Sequence, residues 1–187
     1  MKRGSCRLCD SVNLDHVFSL KPTPIGDHYI TKEALGFEQK VYPLDLYKCS
    51  SCGHVQKLDV INPDLLFKNY LFSTGNSKGL VDGFKAFAQQ TSLPENSLVV
   101  EIGSNDGTLL KFFQDKGCRV LGIDPADNII KSVNTITGYF TSSLAQTIRE
   151  NHGPARLVIA NNVFAHMDDI EDVVKGVKTL LSEDGTF

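Results

Sequence analysis

No apolar run in this chain approaches membrane-spanning length, and the basic start Met1-Lys2-Arg3-Gly4-Ser5-Cys6 has no apolar core behind it. Neither a transmembrane helix nor a secretory signal is therefore expected, and the cytoplasm is the expected compartment. Positive charge is not in excess either. Lys and Arg number 19 against 22 Asp and Glu, for a net charge of −3, and the two signs are nearly balanced between Met1 and Val60. Such a balance gives no broad electrostatic footprint for nucleic acid. Internal repeats and low-complexity segments are also lacking.

What is present begins with Val99-Val100-Glu101-Ile102-Gly103-Ser104-Asn105-Asp106-Gly107-Thr108-Leu109-Leu110. An apolar run ends in an acid, a glycine-bearing turn follows, and an amphipathic segment begins. This pattern predicts a buried strand, a tight loop and a helix N-terminus whose backbone N–H groups are free for a ligand. A dinucleotide loop of the G-x-G-x-x-G type needs its second glycine so that the backbone can approach a pyrophosphate. Asn105 stands at that position, and Glu101 at the strand end suits a cationic ligand rather than a phosphate. S-adenosylmethionine, with a sulfonium, an ammonium and no phosphate, fits this chemistry. Arg119-Val120-Leu121-Gly122-Ile123-Asp124 reads as a second buried strand, with Asp124 about 20 residues past the loop and placed for ribose hydroxyls. Taken alone, Asp124 serves NAD equally well.

Five cysteines form the second signal. Cys6-Arg7-Leu8-Cys9 and Cys49-Ser50-Ser51-Cys52 are two C-x-x-C pairs, and Cys118 stands alone before a strand. Two such knuckles complete a tetrahedral sulfur site for zinc, with disulfide or redox chemistry as the alternative. A four-cysteine site has no open coordination position, so a structural staple is expected. In a lobe of about 60 residues it contributes on the order of 10 kcal/mol. His54 could replace one ligand but reads better as an exposed neighbour of the knuckle. Cys118 reads as a small buried apolar residue.

Along the chain, strand-like alternation covers 14–20 and 41–46, with an extended loop at Lys21–Gly26 between them. Asn62-Pro63 predicts a helix start, and Leu80, Val81, Phe84, Phe87 and Ala88 line one helix face. Gly117 is a helix C-cap, Thr137–Thr141 a third strand, Ser143 with Gln146 a capping box, and Leu157–Asn162 a fourth strand. Ile170, Val173, Val174, Val177, Leu180 and Leu181 form a last helical stripe capped by Asp168 or Asp169. Asp184-Gly185 then predicts a turn, with Thr186 and Phe187 opening a fifth strand. The alternation of strands and helices calls for right-handed crossovers and a parallel sheet. The expectation is an N-terminal piece of a larger enzyme, whose unpaired apolar sheet edge on the fourth strand invites association.

In order and spacing, these features resemble the S-adenosylmethionine-dependent sugar C-methyltransferases that carry an N-terminal zinc-binding domain. The resemblance rests on both C-x-x-C pairs, Thr23-Pro24-Ile25-Gly26, the Tyr70 to Ser77 loop, E-I-G-S-N-D-G at Glu101 to Gly107, and A-N-N-V-F-A-H-M at Ala160 to Met167. It implies an α/β chain: a small zinc-ribbon-like domain over 1–60, a helical connector and cofactor-covering loop over 61–96, and a truncated Rossmann-like class I methyltransferase domain, with a mostly parallel sheet, over 97–187. It further implies zinc on Cys6, Cys9, Cys49 and Cys52, and S-adenosylmethionine held by Glu101, Gly103, Asn105 and Gly107 at its methionine part and by Asp124 at its ribose. Asn161 and Asn162 would line the pocket near the methyl group, and Tyr70 and Ser73 would close over it. Tyr70 serves equally well as interdomain packing.

The chemistry implied is C-methylation of a nucleotide-linked keto-deoxysugar through an enolate. His166 is the candidate to move the proton or steady the enolate oxygen, a packed or helix-capping histidine being the alternative. No nucleic acid or membrane partner is expected. The rival reading is a zinc-ribbon module that binds protein or nucleic acid, with a non-catalytic Rossmann-like scaffold.

Overall fold

Strands β1 (Leu14–Thr23), β2 (Tyr42–Cys49) and β3 (Val55–Lys57) pair in that order as an antiparallel sheet. The computed structural model describes residues 1–26 and 29–187, in two compact units, Met1–Leu71 and Phe72–Phe187. The connector expected over 61–96 is thus divided between the two units.

In the first unit, β1 runs three residues further than the alternation predicts. Lys21–Thr23, expected as loop, stays in the strand, and the register shifts between Leu20 and Thr23 around Pro22. Proline has no N–H for a ladder, so an irregularity at an edge strand is where it fits. The alternation marks a strand here but no core face, since Val17, Phe18 and Leu20 are all exposed. Among the described residues of this unit the buried ones are few: Cys6, Cys49, Gln56 and Leu58. Short helix α1 (Pro63–Phe67) begins as expected, with the Asn62 side chain accepting the Asp64 N–H at 3.0 Å.

The second unit comprises α2 (Lys78–Gln90), β4 (Leu98–Ile102), α3 (Thr108–Asp115), β5 (Arg119–Asp124), β6 (Thr135–Thr137), α4 (Ser142–His152), β7 (Ala155–Ile159), α5 (Ile170–Leu180) and β8 (Leu181–Thr186). Its five strands are all parallel, in the order β6-β5-β4-β7-β8. That is the doubly wound pattern, and the strand order reverses between β4 and β7. A crevice opens at the carboxyl ends of strands at such a point, and ligands bind there.

Two apolar layers cover the sheet. Leu109, Leu110 and Phe113 of α3 pack with Val99, Leu157, Ile159 and Ala88. On the other face Ile148 of α4 and Val173, Val177 and Leu180 of α5 pack with Leu98, Val100 and Ile102. Cys118 is buried in the first layer, as its neighbours in sequence predict. Gly117, at φ +83°, follows the last turn of α3 as the expected C-cap residue. Asp169 caps α5 by accepting the Asp172 N–H.

Three expectations need correction. The third strand is Thr135–Thr137, not Thr137–Thr141. Gly138, whose N–H bonds the Asp124 carbonyl, ends the ladder, and Phe140 turns into the core under α5 instead. Helix α4 is capped by Thr141, whose Oγ1 accepts the Leu144 N–H at 3.2 Å; Gln146 reaches forward to Glu150 rather than back to a cap. The last strand begins at Leu181, directly after α5, so β7 is not an open edge. Asp184-Gly185 falls in the irregular stretch of β8 between its pairings at Leu181 and Thr186. The turn-forming pair therefore bulges a strand rather than preceding one.

Candidate functional site

The loop after β4 lies at the carboxyl end of the sheet, beside the β4–β7 reversal. Gly103 takes φ +71°, Asn105 +52° and Gly107 +84°. These left-handed residues let the chain fold back under itself, and the loop then satisfies much of its own backbone. The N–H groups of Gly103 and Ser104 bond the Ile123 carbonyl. That of Asn105 bonds Asp124 Oδ2, that of Gly107 the Ser104 carbonyl, and that of Thr108 Asp106 Oδ1. The turn expected to offer free N–H groups instead uses these donors internally. A pyrophosphate would find none of them open, which agrees with a cofactor lacking phosphate.

Glu101, Asp106 and Asp124 bring three carboxyl groups together around this loop. Glu101 is 3% exposed, and its Oε2 has no hydrogen-bond partner within the protein. Burial first, then the neighbouring charges of Asp106 and Asp124, push its pKa well above the usual carboxylate range. Asp106 behaves oppositely. Burial raises its pKa, but the Ser73 and Thr108 hydroxyls and the Gly75 and Thr108 N–H groups outweigh burial and hold it below the usual range. The carboxylate of Asp124 accepts the Asn105 N–H at 2.8 Å, the Ala126 N–H at 2.9 Å and Lys131 Nζ at 3.0 Å.

Asn105 and Asp106 together clasp the segment Phe72–Gly75. The Asn105 side chain accepts from the Thr74 N–H at 2.9 Å and donates to the Phe72 carbonyl at 2.9 Å. Asp106 Oδ2 accepts the Ser73 hydroxyl at 2.6 Å and the Gly75 N–H at 2.7 Å. Ser73 is therefore brought to the glycine loop, with its hydroxyl committed to Asp106. Sequence reasoning missed Asp106, Thr74 and Lys131. Asp106 lay inside the quoted E-I-G-S-N-D-G motif, and its position two residues before Thr108 is an Asx-turn signal that would have found it.

Asn161 and Asn162 follow β7 in an exposed turn, with Asn162 at φ +54°. Val163 locks that turn against the glycine loop, since a Cβ on Gly103 would lie 2.2 Å from Val163 Cγ2. His166 is exposed and ends the 3-10 turn Phe164–His166 on the same side of the sheet. Tyr70 belongs to the first unit, where its ring tilts against Phe67 at 6.3 Å.

In the first unit, Met1 and Val60 exchange backbone hydrogen bonds and Arg3 N–H bonds the Leu58 carbonyl, which carries the first knuckle to the second. The two knuckles have the same form. Asp10 N–H bonds the Cys6 carbonyl and Gly53 N–H the Cys49 carbonyl, with Asp10 and Gly53 both left-handed at φ +53° and +79°. All four cysteine sulfurs lie within 4.8 Å of one another, with Cys6–Cys52 at 3.6 Å and Cys9–Cys49 at 3.7 Å. Zn–S bonds of about 2.3 Å in a tetrahedron separate the sulfurs by about 3.8 Å. The donor set and its spacing thus fit zinc, and the five cysteines are all unbridged. The thiols diverge within the cluster: the Cys52 N–H lowers Cys49 to about 6, whereas Cys9, despite the Ser11 N–H, is raised to about 12 by the neighbouring Cys52 sulfur. Gln56 is buried beside the cluster with an unpaired Nε2. His54 is half-buried; its carbonyl accepts the Cys49 N–H and its own N–H bonds the Cys52 sulfur.

Two families match the chain, one described as a zinc binding domain over residues 6–67 and one as a methyltransferase domain over residues 76–187. The chain belongs to the methyltransferase family. It is 34% identical over 191 residues to the C-methyltransferase NovU of Streptomyces niveus, an alignment covering 97% of this chain and 46% of that protein. The chain therefore spans about half the length of the curated relative it matches. A crystal structure from Anabaena variabilis, described as a methyltransferase from an antibiotic biosynthesis pathway, aligns at a TM-score of 0.41 and 19% identity over 56% of this chain and 42% of that one. A methyltransferase domain implies a cofactor of the S-adenosylmethionine type, and the zinc-binding match agrees with the four-cysteine cluster.

Two predictions follow from these geometries. Zinc bound at one equivalent per chain should be lost in Cys49→Ser, and chelation should unfold the first unit; a metal-free protein with unchanged circular dichroism and melting would contradict a structural zinc. The raised pKa of Glu101 contributes stability below its unfolded value near 4.5, lost as pH rises toward the folded value. Glu101→Gln should therefore melt higher than the parent at pH 8, with the gap closing toward pH 4. An equal melting temperature at both pH values would show that the carboxyl is not buried.

Proposed function

We propose that this chain carries the zinc and cofactor sites of an S-adenosylmethionine-dependent C-methyltransferase acting on a nucleotide-linked keto-deoxysugar. One observation carries the cofactor reading: Glu101, a buried carboxyl with an unpaired oxygen, closes a strand at the topological switch point. An ammonium supplies the missing donor and favours the ionised carboxylate, whereas a phosphate would add negative charge beside Asp106 and Asp124. The loop's internally bonded N–H groups and Asn105, standing where a dinucleotide site needs glycine, argue against NAD.

In this reading Glu101, with the loop from Gly103 to Gly107, holds the methionine part, and Asp124 receives the ribose hydroxyls. Asn105 acts by positioning: its side chain holds Phe72 and Thr74, and its N–H bonds Asp124. Asn161 and Asn162 line the methyl-transfer side of the crevice, and Ser73 belongs to a segment that covers it. The cofactor supplies an electrophilic methyl group. The chain's task is to bring a carbon nucleophile to it and to manage the proton from the carbon beside the ketone. His166, past the end of β7, is the residue proposed to hold or move that proton. The sugar substrate rests on likeness to a relative named as a C-methyltransferase and on the family resemblance. Cytoplasmic location belongs to the same reading; among the described residues no helix is long and apolar enough to cross a membrane. Association through a sheet edge would involve β6 or β8, which flank the sheet.

Calorimetric titration with S-adenosylhomocysteine, with NAD as control, tests the cofactor assignment. Saturable binding of the first alone is expected, and Asp124→Ala should weaken it more than tenfold, as loss of charge-assisted hydrogen bonds of about 1.5–3 kcal/mol requires. Binding of NAD instead, or an unchanged affinity in the variant, would overturn it. In a chain long enough to turn over, His166→Gln should lower kcat at least tenfold with little change in cofactor affinity; unaltered turnover would remove His166 from the chemistry.

A further inference from the structure

The Asp124 carboxylate is already crowded. A carboxylate offers about four acceptor sites, two on each oxygen. Oδ1 accepts both the Ala126 N–H at 2.9 Å and Lys131 Nζ at 3.0 Å, while Oδ2 accepts the Asn105 N–H at 2.8 Å. Among the described contacts these donors leave one site, on Oδ2. A vicinal diol gripped through both hydroxyls needs one site on each oxygen, so one donor on Oδ1 has to leave. The Ala126 N–H cannot readily do so: it belongs to the backbone of a buried residue two positions past Asp124. Lys131 can. Its ammonium sits at the end of a flexible stem, on a segment without regular structure, next to Ile130, which is 91% exposed.

Lys131 is also the one cation among the described residues that is ion-paired with any of the three loop carboxyl groups. Its Nζ lies 3.0 Å from the Asn105 carbonyl as well, so it ties the loop to β5 from the same side. Resting on the cofactor reading above, we infer that Lys131 is an internal competitor for the ribose-binding carboxylate. It neutralises Asp124 in the free protein and is displaced to solvent when a ribose diol binds. A cationic cofactor then takes over part of the neutralisation that the lysine provided.

Amine acetylation followed by mass spectrometry reads the displacement directly, without turnover. The Lys131 side chain, 16% exposed, should label more slowly than Lys78, 88% exposed, and should accelerate when S-adenosylhomocysteine saturates the protein. In parallel, Lys131→Met should bind S-adenosylhomocysteine and adenosine roughly two- to fivefold more tightly, the range expected for removing a partly exposed ion pair that competes with the ligand. Lys131→Arg, which keeps a cation, should not. The gain should vanish for 2′,3′-dideoxyadenosine, which has no diol. Melting curves establish that the variants are folded. Lys131 labelling that stays constant or slows on binding, or a Lys131→Met that binds the diol ligands no better, overturns the competitor role while leaving the cofactor assignment intact. Failure of both the parent and Lys131→Met to bind S-adenosylhomocysteine overturns the cofactor assignment and this inference with it.

Discussion

Asn105 joins three other segments of the second unit to the glycine loop: its N–H bonds Asp124, its carbonyl accepts Lys131, and its side chain holds Phe72 and Thr74. This depends on its left-handed backbone, which turns N–H, carbonyl and side chain in three directions. Glycine would adopt the same φ with less strain but would release Phe72 and Thr74. The asparagine is thus a compromise between backbone freedom and a side chain that reaches. With Asp106 gripping Ser73 and Gly75 beside it, the glycine loop anchors the segment that precedes α2.

The same loop concentrates cost as well as order. Burying an unpaired carboxyl at Glu101 is unfavourable, and two further carboxyl groups nearby make it more so. Two apolar layers on either side of the sheet supply the stability that tolerates it. Such an arrangement is characteristic of a site shaped for a ligand of opposite charge, where the protein alone leaves polar groups unsatisfied.

The first unit solves a different problem. Its sheet is largely exposed and its core is little more than two cysteines, a glutamine and a leucine. Hydrogen bonds between residues 1–3 and 58–60 and between two like-formed knuckles bring four sulfurs to zinc-ligand spacing. A metal on those sulfurs would stand in for the missing apolar interior.

The cysteine knuckles, the buried strands at 98–102 and 119–124, the C-cap at Gly117 and the caps at Asn62 and Asp169 were legible in the sequence. Each is set by spacing, by an uninterrupted apolar run or by a side chain acting within three residues. The capping of α4 by Thr141 and the ending of the third strand at Thr137 were less so, because several residues there suit either role and packing of Phe140 under α5 decides between them. The sequence by itself determined that an acid, a glycine turn and a second acid stand at the ends of adjacent strands. Only the tertiary structure decided that the turn's N–H groups close on Ile123, Asp124 and the loop itself, that Asp106 clasps residues 31 and 33 positions earlier, and that Lys131 lies on Asp124. Those are contacts between distant segments, fixed when the parallel sheet brings strand ends together, and no local pattern encodes them.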